Sequence, residues 1–473
     1  MRKLGVNRSA ENDFLLLKEY FIGRNESIQK EDMDFINHVK ELFDSQNATG
    51  FVQHSRQACQ NQVIAQEYND TTISFMDYDG SLGPWQLNTD FGICCMMQPH
   101  ITFQKIGANE KIFKIDTSAK IGESNGIRIL IDAEVFNHGI DKNHGIGFKI
   151  ALYEIGDKPI IQFSSKLIST GSEVQISIAP SLSITTDEAI SRLTPEKRNC
   201  YNESETALTF LKKSHGYKYS FTTCLYNELL KEIIFDCRCY PIFFVESFFP
   251  DVTKDIESCS GEGLFCAQHK IKQLTSLHKN MEVDNTSKLN NTIGNIARPS
   301  KVNCLPACQV QDNAIETSYI EYPSVKPFFY QDSFCYTAIH ILHVTCKDED
   351  RRYFLHQDYP FLCDILEYDK SIFGKNSSCQ NWPSTYFSEH ESINKTLEQA
   401  MYLYGRENLA LLHVFIQSPQ ITEVKRDIAI TFTVFLGNVG GILGLWLGFS
   451  VFSCLELAYW FCLCCHCNKK NYF

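Results

Sequence analysis

The sequence predicts an α+β protein: a cysteine-rich extracellular part of antiparallel sheets and helices, followed by one C-terminal transmembrane helix. Three observations carry this. The first is an apolar run from Ile428 to Cys465, 38 residues with Glu456 as its only formal charge. The second is the placement of cysteine: fifteen of the twenty precede that run, together with nine Asn-x-Ser/Thr sequons. The third is a period of two in the segments from Ile127 to Ile178, the pattern of strands buried on one face.

The sequons are Asn7, Asn25, Asn47, Asn69, Asn202, Asn285, Asn290, Asn376 and Asn394. With the cysteines they place residues 1 to about 425 in an oxidising, glycosylating compartment. A net charge of −12 without long charge runs describes an acidic solvated surface and argues against nucleic acid as a partner.

Taken in order, residues 1–90 are the least readable, with a short helical pattern from Asp32 to Phe43. The segments GIRILIDAEVF, GFKIALYEI, PIIQFSSKLIS and EVQISIAPSL come next as antiparallel strands, with His138 and His144 as loop residues rather than metal ligands. Between Cys200 and Cys308 lie Cys224, Cys237, Cys239, Cys259, Cys266 and Cys304, and two stretches of helical spacing, Thr223 to Phe235 and Gln268 to His278. These read as a stapled helical hairpin.

Residues 318–385 hold Cys335, Cys346, Cys363 and Cys379. Cys335, His340, His343 and Cys346 can be read as metal ligands, but extracellular disulfides are the favoured reading and no metal or other cofactor is expected. Leu409 to Ile416 reads as a buried strand. No catalytic motif occurs, neither H-E-x-x-H, G-x-S-x-G nor a phosphate loop, so no enzyme is expected.

An uninterrupted helix over the C-terminal run would measure about 57 Å at ~1.5 Å per residue, nearly twice the ~30 Å hydrocarbon core. The run must tilt, break or begin outside the bilayer. Gly437, Gly440, Gly441, Gly444 and Gly448 share a helical face, and Asn438, Ser450, Ser453 and Glu456 add polar groups. Composition leaves two readings open, a plain anchor with a helix-packing stripe or an ion pathway. Lys469 and Lys470 mark the cytoplasmic flank, although Lys425 and Arg426 weaken the asymmetry. Cys462, Cys464, Cys465, His466 and Cys467 suit palmitoylation at the membrane boundary better than zinc.

GNVGGILGLWLGFSVFSCLEL resembles the second membrane segment of the degenerin/epithelial sodium channel family, and the Phe within Gly448-Phe449-Ser450 is similar to its arthropod pickpocket branch. FDCRCYPIFF, NCLPAC and ENLALLHVFIQSPQITEVKRD resemble the family's thumb, last palm strand and wrist, and Phe91, Gly92 and Cys94 match one of its strands. The resemblance implies a subunit of a trimeric, amiloride-sensitive type sodium channel in the plasma membrane, gated through its ectodomain. Its partners would be sodium ions, membrane lipid and copies of itself or related subunits. Gly448, Phe449 and Ser450 would form the selectivity belt, where the helix over 425–465 is expected to be interrupted, with Gly437 and Asn438 at the gate and Glu456 a cation-attracting group below the belt.

The implied regions are a partial finger at 1–90, β-ball and palm strands at 91–199, and a thumb at 200–308. Palm and knuckle with a cysteine-containing insertion occupy 309–424, the pore segment 425–465 and a short cytoplasmic tail 466–473. Nested thumb bridges are implied for Cys200 with Cys308, Cys224 with Cys304, Cys237 with Cys266, and Cys239 with Cys259. The family's first membrane span and first palm strand find no match, so the sequence reads as N-terminally incomplete. The alternative is a non-conducting, membrane-anchored ectodomain serving as an accessory or partner-binding subunit.

Overall fold

The computed structural model describes residues 59–469 apart from 69–70, 75–84, 90–91, 98–100, 107–109, 116–120, 138–144, 155, 206–207, 212–216, 242–255, 257–258, 260–262, 264–265, 272–291, 294–295, 298–303, 325–327, 370–372, 374–378, 380–381, 390–393 and 449. His138, His144, Phe449, Lys470 and the sequons Asn7, Asn25, Asn47, Asn69, Asn285, Asn290 and Asn376 lie outside the described residues, as does the pattern from Asp32 to Phe43. The chain divides into two compact units, Met1–Leu182 with Tyr201–Thr422, and Ser183–Cys200 with Glu423–Phe473.

The strands run β1 (Val63–Tyr68), β2 (Thr71–Ser74), β3 (Trp85–Thr89), β4 (Gly92–Met96), β5 (Ile101–Ile106), β6 (Glu110–Ile115), β7 (Ile127–Asp132) and β8 (Gly147–Ala151). Then come β9 (Ser165–Ser169), β10 (Ser172–Thr185), β11 (Thr292–Ile293), β12 (Ile296–Ala297), β13 (Gln309–Glu321), β14 (Leu409–Ile416) and β15 (Thr422–Arg426). Seven of them form one sheet in the order β13-β10-β14-β7-β1-β2, with β15 also on β10. β14 lies parallel to β10 and antiparallel to β7. The hairpins β3-β4, β5-β6, β8-β9 and β11-β12 stand apart from it.

Alternation divides this sheet between two cores. Ile129 and Ile131 of β7 and Ala410 and Leu412 of β14 pack with Val174 and Ile176 on one face. Leu130 and Leu409, pointing the other way, join a helical layer. A strand covered on both faces needs a near-continuous apolar run, which LALLHVFI supplies with His413 as its one polar side chain. Gly171, just before β10, has φ 70°, and a Cβ there would stand 2.4 Å from the Arg406 carbonyl oxygen. Only glycine fits that approach.

The second stretch of the stapled region begins as helix over residues 266–271 among the described residues. The first is α1 (Phe221–Cys237), capped by Ser220, whose hydroxyl accepts from the Thr223 N–H. Tyr226, Leu229, Leu230, Ile233 and Ile234 recur at helical spacing and are buried together. Asp157 accepts from the hydroxyls of Ser220, Thr222 and Thr223, with 2.8 Å to each threonine, and so anchors the start of the helix. Cys224–Cys304, Cys237–Cys266 and Cys239–Cys259 are bonded, and Cys200 and Cys308 are disulfide-bonded as well. Each such bridge contributes a typical ~2–4 kcal/mol.

The helical layer comprises α2 (Asp332–His340), α3 (Glu349–Asp358), α4 (Leu362–Tyr368), α5 (Ser384–Glu389) and α6 (Lys395–Asn408). Cys335–Cys379 and Cys346–Cys363 bridge it. Phe329 meets Phe334, Trp382 and Tyr386 at ring-centroid distances of 4.9, 5.3 and 5.3 Å. α6 passes into β14 without a loop.

A buried polar network ties layer to sheet. Tyr404 donates to Asp132 at 2.5 Å, Asn408 accepts from the Val135 N–H at 2.7 Å, and Asn408 donates to the Tyr359 hydroxyl at 3.0 Å. His340 stands 3.7 Å from Asp132 and Arg351 3.3 Å from Glu134. Burial, and then the Glu134 charge, push the Asp132 carboxyl up to about 8. The folded chain therefore holds a proton that the unfolded chain has released, and this group's contribution to stability falls as pH rises from about 4 to about 8, opposed below pH 6.5 by His340, whose imidazole burial keeps neutral. Asp132→Asn is expected to remove this contribution, at most about 1.4 kcal/mol per pH unit. Melting temperature followed across that window in both chains checks it, and an unchanged slope counts against a protonated Asp132.

Three expectations are corrected. Residues 161–164 form a helical turn before β9 rather than a strand, Ser164 closing it through a bond to the Ile160 carbonyl at 3.0 Å. Residues 425–431 are not helical: β15 ends at Arg426 and the helix starts only after its cap, Thr431. The sheet expected to be antiparallel is mixed, since β10 runs parallel to β14. The expected interruption of the C-terminal helix at Gly448 to Ser450 is present, between α7 (Phe432–Leu447) and α8 (Val451–Lys469). Among the described residues no helix taken alone is long and apolar enough to cross a membrane.

Candidate functional site

The division between α7 and α8 results from local chemistry. Gly448 takes the left-handed conformation, φ 59° and ψ 21°, and its N–H donates to the Leu443 carbonyl. That geometry ends a helix, and glycine adopts it without the Cβ clash other residues meet. Two residues on, Ser450 and Ser453 cap one another: the Ser453 N–H donates to Ser450 Oγ at 3.2 Å and the Ser450 N–H to Ser453 Oγ at 3.3 Å. This reciprocal pair begins a new helix, in the manner of a capping box. A stop and a start are thus written two residues apart.

Chemically, the break sets a helix C-terminus, with carbonyl groups lacking intrahelical donors, against a helix N-terminus. Carbonyl oxygens and the Ser450 hydroxyl are groups that replace water around a cation. Gly437 and Asn438 lie in the first half of α7 and Glu456 in the first half of α8, all exposed in the single chain. A Cβ at Gly437, Gly440, Gly441 or Gly448 would meet nothing within 4 Å. Leu445, Trp446 and Phe452 are 89, 85 and 79% exposed. Apolar surface this open calls for lipid or other chains around it.

Elsewhere, Asn202 accepts from the Glu203 N–H at 2.8 Å. Asn394 caps α6 with its carbonyl oxygen, accepting from Thr396 and Leu397. Cys59 is bonded to Cys95, and Cys94 keeps its thiol 3.3 Å from the Thr89 hydroxyl. Cys335 and Cys346 are in disulfides, and no cluster of three or more His, Cys, Asp or Glu able to hold a metal occurs among the described residues.

The sequence reading missed a cavity of about 440 Å³ between the sheet and the start of α2. Glu67, Arg128, Glu173 and His413 line its floor, and Tyr330, Asp332 and Tyr336 its roof. The signal was present: Arg128 in IRILID and His413 in LALLHVFI interrupt otherwise apolar strands.

A family model described as amiloride-sensitive sodium channel matches residues 3–460. The chain is 22% identical over 342 residues to the degenerin-like protein unc-105 of Caenorhabditis elegans, 72% of this chain and 29% of that one. It is 20% identical over 384 residues to the sodium channel protein Nach of Drosophila ananassae, 81% of this chain and 53% of that one. It is also 25% identical over 115 residues to pickpocket protein 28 of Drosophila melanogaster, 20% of this chain and 19% of that one. The chain spans at most about half the length of these relatives.

Proposed function

The chain belongs to the amiloride-sensitive sodium channel family, and from that premise we propose that it is a subunit of a trimeric, sodium-selective channel of the plasma membrane, gated through a large extracellular domain. The observation that carries the reading is the paired stop and start at Gly448 and Ser450, inside an apolar run within the matched residues.

Three copies of the break around an axis make a ring of carbonyl and hydroxyl oxygens, Gly448 to Ser450, narrow enough to take part of an ion's water shell. Unwound backbone at membrane depth is tolerated where it lines water, which an ion pathway provides. The glycine face of α7 packs against neighbouring copies, with Gly437 and Asn438 at the gate. Glu456, on the cytoplasmic side of the belt, draws cations to the exit. The C-terminus after Lys469 is cytoplasmic.

Cysteine substitution along 445–456 tests this in voltage-clamped cells expressing the chain with a related subunit. Thiol reagents are expected to reduce current at positions 448–450 and to spare the lipid-facing positions. Uniform protection from 445 to 456 defeats the pore assignment. Normal surface delivery with no change in current from any variant makes the chain an accessory subunit instead.

A further inference from the structure

The register of the sheet builds the floor of the cavity beneath α2 in two rungs. Glu67, Arg128 and His413 stand opposite one another across β1, β7 and β14, and Ala65, Leu130 and Leu411 form the apolar rung beside them. Glu173 closes that second rung from β10, opposite Leu411. The roof is the start of α2 with Tyr330 before it and Tyr336 within it. The volume of about 440 Å³ falls in the range of small-molecule sites.

Charge in this space is unbalanced. Arg128 is committed to Glu67, 3.5 Å away, and His413 Nε2 stands 3.1 Å from Glu173. The bond from His413 holds the Glu173 carboxyl below its ordinary value. Asp332, exposed at the rim, has no such relief: partial desolvation and then the Glu67 charge push its carboxyl up, and among the described residues no cation lies within ion-pair distance. The cavity presents three carboxylates to one guanidinium and one imidazole, with two phenol rings and an apolar strip beside them.

We propose that this cavity binds a small organic cation, a primary amine on an aromatic body. The ammonium group lies between Asp332 and Glu67, where it relieves their repulsion with charge-assisted hydrogen bonds. The ring lies along Leu130 and Leu411 against Tyr330 and Tyr336, whose faces also attract the cation. An anion would meet a surplus of carboxylates. A metal ion finds no set of three ligating groups among the described residues. The site requires no conduction by the chain, so binding and current are separate measurements.

Titration calorimetry on the full chain in lipid nanodiscs tests the site, with phenethylamine as probe and 2-phenylethanol as its neutral counterpart. Saturable amine binding is expected, with the alcohol weaker by about tenfold or more, equivalent to 1.4 kcal/mol. Asp332→Asn and Glu67→Gln are each expected to weaken the amine by about tenfold and to leave the alcohol unchanged. Tyr330 is 53% exposed, so Tyr330→Ala keeps the fold and loses affinity for both probes. Absence of saturable amine binding, equal binding of amine and alcohol, or unchanged affinity in the folded Asp332→Asn and Glu67→Gln variants overturns the proposal.

Discussion

Gly448→Val in the full-length chain is expected to lower sodium current by about 5–30-fold while surface delivery stays normal. At φ 59° a β-branched residue meets its own backbone, at a cost of about 1–2 kcal/mol relative to right-handed helix. Nothing stands within 4 Å of a Cβ at this position in the single chain, so the strain is that of the backbone alone. Valine shifts the balance toward one continuous helix from α7 into α8, and the oxygens exposed by the break are lost with it. Gly448→Asn is the discriminating control, because asparagine tolerates the left-handed region. It is expected to keep most of the current. Voltage clamp paired with surface labelling measures both effects. If valine conducts as well as glycine, or if asparagine is as damaging as valine, the break is not what the current depends on.

Phe329→Ala is expected to cost about 3–5 kcal/mol of stability, more than the ~2–4 kcal/mol typical of losing a bridge. The side chain is 1% exposed and lies at the centre of a ring cluster contributed by α2, α5 and the turn before α5. Its backbone carbonyl, which accepts from the Trp382 indole at 2.5 Å, survives the substitution, so the loss measures packing. Phe329→Leu refills most of the volume and is expected to cost less than half as much. Thermal melts of the detergent-solubilised full chain compare the two. Equal melting temperatures for alanine and wild type would mean that the disulfides alone hold the layer.

Elements whose information is local were legible. Buried positions at helical spacing and a serine cap announce α1, and LALLHVFI announces a strand covered on both faces. The end of α7 is legible in the chemistry of two residues, Gly448 and Ser450. Residues 425–431 misled because Ile428 and Ile430 share the apolar character of α7, whereas Thr431 decides where helix begins. The cavity was illegible as a site because its walls come from segments as distant as Glu67, Glu173, Asp332 and His413. The register of four strands brings Glu67, Glu173 and His413 together, and the start of α2 adds Asp332. Likewise, composition does not say which of Cys94 and Cys95 reaches Cys59.

The junction of α6 and β14 sets a rule for what this gene can tolerate. Asn408 ends the helix and Leu409 opens the strand, while successive residues of that strand serve two different cores. One codon inserted between them would turn Ala410 and Leu412 out of one core and Leu409 out of the other at a single stroke, since a slip of one residue exchanges the faces of a strand. An in-frame insertion here is therefore close to a null allele. Divergence in length is expected to collect in surface loops, and the spacing from Asn394 to Ile416 is expected to stay fixed among close relatives.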